Sequence, residues 1–442
     1  MTRIVPASIL LSLGLTLGAG LPAAGQEHFV LENGLELVVI EDNRAPVVEH
    51  MIWYRVGSAD EPPGVSGIAH YLEHLMFKAT GRMASGEFSA TVEANGGRDN
   101  AFTSWDYTAY HQRVAADRLG LMMAMEADRM TGLRLDLSDW LPERDVILEE
   151  RAQTLESSPD RLLQEAMRRA LFQNHPYGRP IIGWRHEMER LDDRAAKDFY
   201  RRFYAPNNAV VVVAGAVSAE AALRLAVEHY GPIPARPDLA PRVRPAEPPG
   251  LAERRVILRD PRVGQPYASR LYLVPNRRTG DQAQAAALQV LAAILGGSDQ
   301  TSVLERQLTF EQGVSISVWA GYSGTGLDYG LFSLGIVPAE GVSLEAAEAA
   351  LDAALAGFLE SGIDPVQFER VRRQVRAQEL FGLDDTGARA RTIGAALTSG
   401  LTLADATGWL AALQAVTPDD VLAAARLLDR RAAVTGWLMK EE

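Results

Sequence analysis

The chain has 442 residues, of which 47% are hydrophobic and 23% are charged. This composition excludes an intrinsically disordered protein, and the length favours more than one packed core. The formal net charge of −13 argues against a nucleic-acid partner. Because the chain has no cysteine, it forms no disulfides, and any transition-metal site must use imidazole and carboxylate ligands.

The first 25 residues differ in composition from the rest of the chain. Arg3 precedes an apolar run over residues 9–17, and small residues suited to signal cleavage follow at residues 21–25. This pattern predicts a cleaved signal peptide over residues 1–25, and therefore a periplasmic or secreted protein without a stable membrane span after cleavage. The apolar run is short for a transmembrane helix, although an uncleaved anchor is the alternative.

The following part of the chain alternates between strand and helix patterns. Apolar runs broken by turn residues over residues 28–58 predict strands. Helical patterns begin at residue 67, span roughly residues 115–132, and begin again near Pro142, which suits a first helical position. The run NNAVVVVAGAV, residues 207–217, predicts a buried strand. Seven prolines without a hydrophobic period predict a linker over residues 232–250.

After the linker the pattern starts again. Residues 254–275 resemble the opening strands, and DQAQAAALQVLAAILGGS occupies the place of the first long helix. The repeat predicts an α+β fold with two homologous α/β sandwich domains, residues 26–231 and 251–442, each an antiparallel-rich sheet packed with helices. All eight histidines precede the linker, so the second domain cannot supply an imidazole to a metal site.

The stretch GIAHYLEHLMFKAT, residues 67–80, carries a candidate metal site. On a helical wheel His70, Glu73 and His74 share one side, and an apolar stripe lies opposite. Two histidines four residues apart can reach one tetrahedral ion, and Glu73 lies beside them, where it could take a proton from water. Such a triplet arises by chance on the order of 0.02 times in a chain of this composition, which favours a metal site over two histidines without a shared role.

Zinc bound by two histidines needs a third protein ligand, which in a chain without cysteine is His, Asp or Glu. Residues 141–156 offer Glu143, Glu149, Glu150 and Glu156. Glu143 and Glu150 are seven residues apart and share a helix face, whereas Glu149 is rotated by about 100° from Glu150. A solvated acidic helix is the alternative explanation of these glutamates.

These residues resemble the insulinase/pitrilysin family of zinc peptidases, in which an inverted H-x-x-E-H motif is followed about 75 residues later by a glutamate ligand. The resemblance implies that His70, His74 and Glu150 bind one Zn²⁺ per chain. It also implies that Glu73 is the general base and that the upstream Glu143 supports the site.

A second stretch, residues 95–111, resembles the family segment in which two glycines are followed by an Asn-Ala-aromatic-Thr run. The resemblance implies that Asn100, Ala101, Phe102 and Thr103 form a strand whose edge pairs with an extended peptide substrate. An ordinary internal strand is the alternative. The resemblance continues through the second half of the chain, more loosely.

In this family two halves of two domains each close as a clamshell around a chamber that admits short or unfolded peptides. The chain is one such half, so the resemblance implies a homodimer or a heterodimer with a related subunit that lacks H-x-x-E-H. The predicted function is that of a zinc-dependent endopeptidase acting on peptide substrates. The alternatives are a non-catalytic peptide-binding or assembly subunit and a maturation protease dedicated to a single peptide precursor.

Overall fold

The computed structural model describes residues 26–297 and 300–441. The predicted signal peptide, residues 1–25, lies outside the described residues. In the part of the chain that the structure describes, no helix has both the length and the apolar character needed to cross a lipid bilayer.

The strands form two sheets with a shared topology. In chain order they are β1 (Gln26–Val30), β2 (Glu36–Glu41), β3 (Val47–Tyr54), β4 (Arg98–Thr103), β5 (Thr108–Ala115), β6 (Ala209–Gly215), β7 (Arg254–Asp260), β8 (Tyr267–Val274), β9 (Ser315–Ser323), β10 (Gly330–Pro338) and β11 (Val434–Lys440). The first sheet has the order β1-β2-β6-β3-β5-β4, and the second has the order β7-β11-β8-β10-β9. The five strands of the second sheet therefore match β2 to β6 one for one.

The match extends to strand direction. Strand β6 lies between β2 and β3, parallel to β2 and antiparallel to β3. Strand β11 lies between β7 and β8, again parallel to β7 and antiparallel to β8. The prediction of an α+β fold built from two homologous units with antiparallel-rich sheets is therefore confirmed.

Helices pack on both faces of the sheets. They are α1 (Ile68–Leu75), α2 (Glu87–Ala94), α3 (Leu119–Gly132), α4 (Leu137–Arg151), α5 (Pro159–Leu171), α6 (Arg185–Met188), α7 (Asp193–Phe203), α8 (Ala219–His229), α9 (Ala283–Gly296), α10 (Leu344–Ser361), α11 (Pro365–Gly382), α12 (Thr386–Thr398), α13 (Leu403–Thr407), α14 (Trp409–Ala415) and α15 (Pro418–Ala425). A π-helical turn, Ala152–Glu156, continues α4 directly.

The predicted start of the third helix is wrong. Helix α4 begins at Leu137, so Pro142 lies inside the helix rather than at its first position. Proline lacks the N–H that would bond to the carbonyl four residues earlier, which weakens the first turns of α4. Trp140 compensates because its side chain is only 2% exposed and its ring packs 4.0 Å from that of Tyr71 on α1. A tertiary contact therefore extends the helix beyond the start that the sequence predicts.

The strand predicted from the valine run is confirmed as β6, and every residue of β6 is buried. One face of the first sheet packs against a core that includes α1, α3 and α8. The other face packs against α12, which follows the linker in the chain. Covering on both faces explains why β6 is uniformly apolar instead of alternating.

The two halves of the chain exchange helices. Helix α12 of the second half packs on β6 and β3 of the first sheet, and α5 of the first half packs on β7, β8 and β11 of the second sheet. The contact of α12 is close because Gly394 lies against the ring of Trp53, where a Cβ would come within 2.1 Å of Cε2. Each sheet thus needs a helix from the other half to bury its outer face.

The predicted linker, residues 232–250, contains no helix or strand but is firmly attached. The side chain of Arg244 is 4% exposed and forms ion pairs with Asp60 at 2.8 Å, Asp106 at 2.5 Å and Asp328 at 2.8 Å. Buried charges of this kind are stable only when they are paired. Because Asp60 and Asp106 precede the linker and Asp328 follows it, Arg244 joins both halves of the chain.

We expect Gly394→Ala to destabilise the protein, because the added methyl group would overlap the Trp53 ring and overpacking of a core costs about 1–3 kcal/mol. Chemical denaturation followed by circular dichroism measures the loss. The matched control is Gly357→Ala in α10, where a Cβ meets nothing within 4 Å and alanine favours the helix by up to about 1 kcal/mol. Equal stability of the two variants would contradict the close α12 contact.

Candidate metal centre

Helix α1 is positioned by its first residues. Gly67 has a φ of 90°, and a Cβ there would lie 2.6 Å from the carbonyl oxygen of Ile182, so this position requires glycine. The buried carboxylate of Glu61 accepts hydrogen bonds from the backbone N–H groups of Gly67 and Ala69. A carboxylate at this point satisfies donors of the first turn and interacts favourably with the helix dipole. The start and the direction of α1 are thereby determined.

Helices α1 and α4 bring together the three predicted metal ligands. Oε2 of Glu150 lies 3.4 Å from Nε2 of His74 and 3.7 Å from Nε2 of His70. One ligand atom from each of the three side chains lies within 4.8 Å of the other two. Ligand atoms around a tetrahedral zinc ion, at bond lengths of about 2.0–2.2 Å, are about 3.3–3.5 Å apart. The nitrogen and oxygen donor set therefore fits zinc, and the Glu150 distances of 3.4 and 3.7 Å are close to the spacing that zinc requires.

Glu143 contacts the side of His74 that faces away from Glu150. Nδ1 of His74 donates to Oε1 of Glu143 at 2.8 Å, and Nζ of Lys78 lies 2.5 Å from Oε2. The hydrogen bond with His74 and the charge of Lys78 lower the pKa of Glu143 to about 2. Because Nδ1 donates to this ionised carboxylate, Nε2 is the nitrogen that faces Glu150, and it would bind a metal ion once its own proton is lost.

The two imidazoles differ in their electrostatics. Burial, and next the neighbouring His74, lowers the pKa of His70, so His70 is neutral and has a lone pair available at neutral pH. Burial also lowers the pKa of His74, but its hydrogen bonds to Glu143 and Glu150 outweigh this effect and raise the pKa to about 9. The carboxylates that stabilise a proton on His74 also provide the negative charge that a divalent cation requires.

Glu73 lies beside the ligand group and is 8% exposed. Its Oε2 accepts a hydrogen bond from Oγ1 of Thr103 at 2.6 Å, while its Oε1 has no hydrogen-bond partner among the described residues. Burial raises the pKa of Glu73 to about 7, although the Thr103 hydrogen bond opposes this. A carboxyl group with a pKa near neutrality and one free oxygen is suited to accept and return a proton.

The other two glutamates of the segment lie elsewhere. Oε1 of Glu149 accepts a hydrogen bond from Gln153 at 2.7 Å. Glu156 is paired with Arg151 and Arg185. Of the four candidates in residues 141–156, the structure therefore brings only Glu150 to both histidines and only Glu143 to the outer side of His74.

Strand β4 is an edge strand of the first sheet and has only β5 beside it, so the alternative of an internal strand is wrong. Residues 100–103 of β4 line a cavity of about 750 Å³ together with His70, Glu73, His74 and Glu150. A cavity of this volume is typical of small-ligand and peptide sites. The predicted metal ligands, general base and substrate strand thus share one space.

A further wall of this cavity, which the sequence did not predict, is formed by one face of α5 and by Trp105. The cavity-lining residues of α5 are Arg161, Gln164, Glu165 and Arg168. The sequence could have indicated this polar face, because residues spaced by three, four and seven positions lie on one side of a helix. The opposite face carries Leu163, Met167 and Leu171, which pack on the second sheet.

Comparisons with known proteins identify the family of this chain. Residues 37–184 match the model of the insulinase family of peptidases, family M16, and residues 191–375 match the model described as the peptidase M16 inactive domain. An uncharacterized zinc protease of Streptomyces coelicolor is 33% identical over 398 residues, which cover 87% of this chain and 83% of that protein. The chain belongs to the insulinase family of peptidases.

Solved structures show the same fold for this insulinase-family chain. A protease from Helicobacter pylori superposes with a TM-score of 0.86 at 26% identity, over 93% of this chain and 99% of that one. The periplasmic protease PqqL from Escherichia coli superposes with a TM-score of 0.82 at 20% identity, over 94% of this chain but 48% of that one. The chain thus has the half-length form of the fold. The inactive-domain match, residues 191–375, begins in the first half of the chain and continues into the second half, residues 251–442, which contains no histidine.

Three glutamates of one helix provide a graded test of the proposed zinc ligands. We expect Glu150→Gln to weaken zinc binding by more than about 100-fold through loss of a ligand, and Glu143→Gln to weaken it by about 10- to 100-fold through loss of the hydrogen bond to His74. Glu149→Gln is the matched control and should bind zinc normally. Competition with a chromogenic chelator measures the affinities, and a large loss in Glu149→Gln would reverse the choice of ligand.

Proposed function

We propose that this chain is a zinc-dependent endopeptidase that hydrolyses short or unfolded peptides. In this proposal His70, His74 and Glu150 bind one Zn²⁺ per chain, and Glu73 is the general base. The observation that carries the proposal is the convergence of Glu150 with both histidines at 3.4 and 3.7 Å, beside a buried glutamate with a raised pKa. The zinc-protease name of the Streptomyces coelicolor relative supports it.

The mechanism assigns one task to each residue. His70, His74 and Glu150 would hold zinc, which would supply a Lewis acid able to activate water at neutral pH and to polarise a peptide carbonyl. The free Oε1 of Glu73 accepts the proton of the attacking water and then returns it to the departing amide nitrogen. Thr103 holds the other oxygen of Glu73 through its hydroxyl group, so Oε1 stays directed at the reaction. Glu143 orients His74.

The substrate would lie along β4. An extended peptide that adds to the edge of a sheet is held by main-chain hydrogen bonds, which are largely independent of its sequence. Asn100, Ala101, Phe102 and Thr103 would hold the peptide in this way next to the proposed metal ligands, because they line the same cavity. This arrangement favours unfolded peptides over folded proteins, since only an extended chain can add a strand.

The two alternative functions differ from this proposal in what they predict. A non-catalytic peptide-binding or assembly subunit would bind peptides without cleaving them, and it is disfavoured because every proposed catalytic side chain is present and in reach. A maturation protease for a single precursor would cleave one member of a varied peptide panel. A broad cleavage pattern would exclude that second alternative.

A periplasmic or secreted location is part of the proposal and rests on the sequence of residues 1–25. The solved structure of PqqL is described as that of a periplasmic protease, which is compatible with this location. A location outside the cytoplasm would also suit an enzyme without cysteine ligands. Imidazole and carboxylate ligands are not oxidised in the way that a cysteine thiolate is.

We expect Glu73→Gln to keep zinc and to lose hydrolysis, with kcat lower by about 100- to 10,000-fold, because general acid–base catalysis contributes about that factor. The assay is cleavage of a quenched fluorescent peptide, with zinc content measured on the same samples. Glu149→Gln serves as the control and should remain active. A chelator should abolish wild-type activity, and added zinc should restore it. Cleavage by Glu73→Gln at near the wild-type rate would contradict the proposed role of Glu73 as general base.

The proposed chamber needs a second half. This chain matches 48% of the PqqL chain, which is about twice as long. We expect the active species to contain either two copies of this chain or one copy with a related subunit that lacks H-x-x-E-H. Light scattering coupled to size exclusion, with activity measured across the peak, tests this expectation. Full activity in a peak with the mass of one chain would contradict both forms.

A further inference from the structure

One wall of the cavity carries a guanidinium group that no acidic side chain neutralises. Arg168 on α5 lines the cavity that contains the proposed metal ligands. In the part of the chain that the structure describes, neither an ion pair nor a side-chain hydrogen bond of Arg168 occurs. Burial lowers its pKa to about 10, so the group is still charged at neutral pH. A half-buried charge without a counter-ion is costly to a fold.

The nearby carboxylates are already engaged. Glu165, on the same face of α5, forms a two-point ion pair with Arg151 at 3.0 and 3.1 Å. Glu73 and Glu150 belong to the proposed metal centre. Arg161, one further guanidinium on this face, is exposed and also has no ion pair among the described residues. This wall of the cavity therefore has an excess of positive charge, although the whole chain has a net charge of −13.

The guanidinium of Arg168 stacks on the ring of Trp105. Its Cζ lies 3.9 Å from the centroid of Trp105. Trp105 is itself fixed, because its Nε1 donates to the carbonyl oxygen of Arg179 at 3.0 Å and its ring lies 6.0 Å from that of Tyr177. Stacking on Trp105 offsets only part of the charge. It leaves the edge of the guanidinium, with its N–H donors, available to a planar anion.

The position of this group relates it to the substrate path. Trp105 follows Thr103, the last residue of β4, by two positions, so a peptide that extends along β4 passes the Trp105 and Arg168 pair at one end of the strand. A carboxylate carried by that peptide would find a preorganised partner there. Its two oxygens match the two parallel N–H donors of a guanidinium edge.

We propose that Arg168 binds a carboxylate of the peptide substrate and that the protein therefore prefers acid-bearing peptides. The inference rests on the proposed peptidase function and adds a substrate class to it. The carboxylate is either that of an Asp or Glu side chain or that of the peptide C-terminus, since both present the same planar anion. Arg161 would strengthen the attraction of such peptides from its exposed position without a fixed contact.

The test uses the purified full-length protein and quenched fluorescent peptides of about ten residues, which span about 33 Å when extended. One set places a single Glu at each position in turn, each with a matched Gln peptide. A second set has no acidic side chain and carries either a free or an amidated C-terminus. The variants are Arg168→Gln and the control Arg169→Gln, which removes the next arginine of α5, also stacked on a tryptophan, Trp184, but outside this cavity.

We expect one Glu position, or the free C-terminus, to raise kcat/KM by about 10- to 100-fold over its neutral partner, the usual effect of a charge-assisted hydrogen bond. Arg168→Gln should abolish this gain, because it lowers kcat/KM for the acidic peptide by far more than for its neutral partner, whereas Arg169→Gln should keep the gain. Equal rates for acidic and neutral peptides would overturn the proposal. An equal loss for both in Arg168→Gln would also overturn it, because that result indicates a purely structural residue.

Binding provides a readout that does not depend on hydrolysis. The same peptide pairs are titrated by fluorescence anisotropy against Glu73→Gln and against the double variant Glu73→Gln with Arg168→Gln. We expect the Kd preference for the acidic peptide in the first protein to disappear in the second. If the wild-type protein cleaves nothing, the peptidase proposal fails while this preference still decides the role of Arg168.

Discussion

The contact between α1 and α4 is the interaction on which the proposed site depends. Tyr71 packs its ring 4.0 Å from Trp140 and donates its hydroxyl to the Trp140 carbonyl oxygen. This buried contact sets the distance between the histidines of α1 and Glu150 of α4. Zinc ligands tolerate errors of only a few tenths of an ångström. A shift of one helix against the other would therefore separate the ligands before it disturbed either helix.

Buried contacts also join the two halves of the chain. Arg244 pairs with carboxylates from both sides of the linker, and the exchange of α5 and α12 gives each sheet a helix of the other half. Helix α5 thus has two faces with different tasks. Its apolar face completes the second core, and its polar face forms the wall of the cavity that contains Arg168. The second half, without a histidine, still shapes the site because it holds α5 in place.

The residues of the proposed metal centre could be identified from sequence because their spacing is local. The spacing of His70, Glu73 and His74 on one helix determines their common face whatever surrounds that helix. Glu143 and Glu150 share a face of α4 for the same reason. The sequence could not predict the start of α4, since Trp140 holds the turns before Pro142 through a contact with α1. It also could not show that β4 is an edge strand, because strand order is a property of the sheet.

By itself the sequence determined the repeat, the buried valine strand, the ligand types that remain without cysteine and the order of the inverted motif. These features depend on residue type and on short-range periodicity, which a helix or strand carries wherever it lies. Only the tertiary structure decided that Glu150 lies within 3.7 Å of both histidines, that Thr103 holds Glu73, and that Arg168 shares their cavity. Those relations join residues far apart in the chain, and packing of the helices and sheets is what sets their distances.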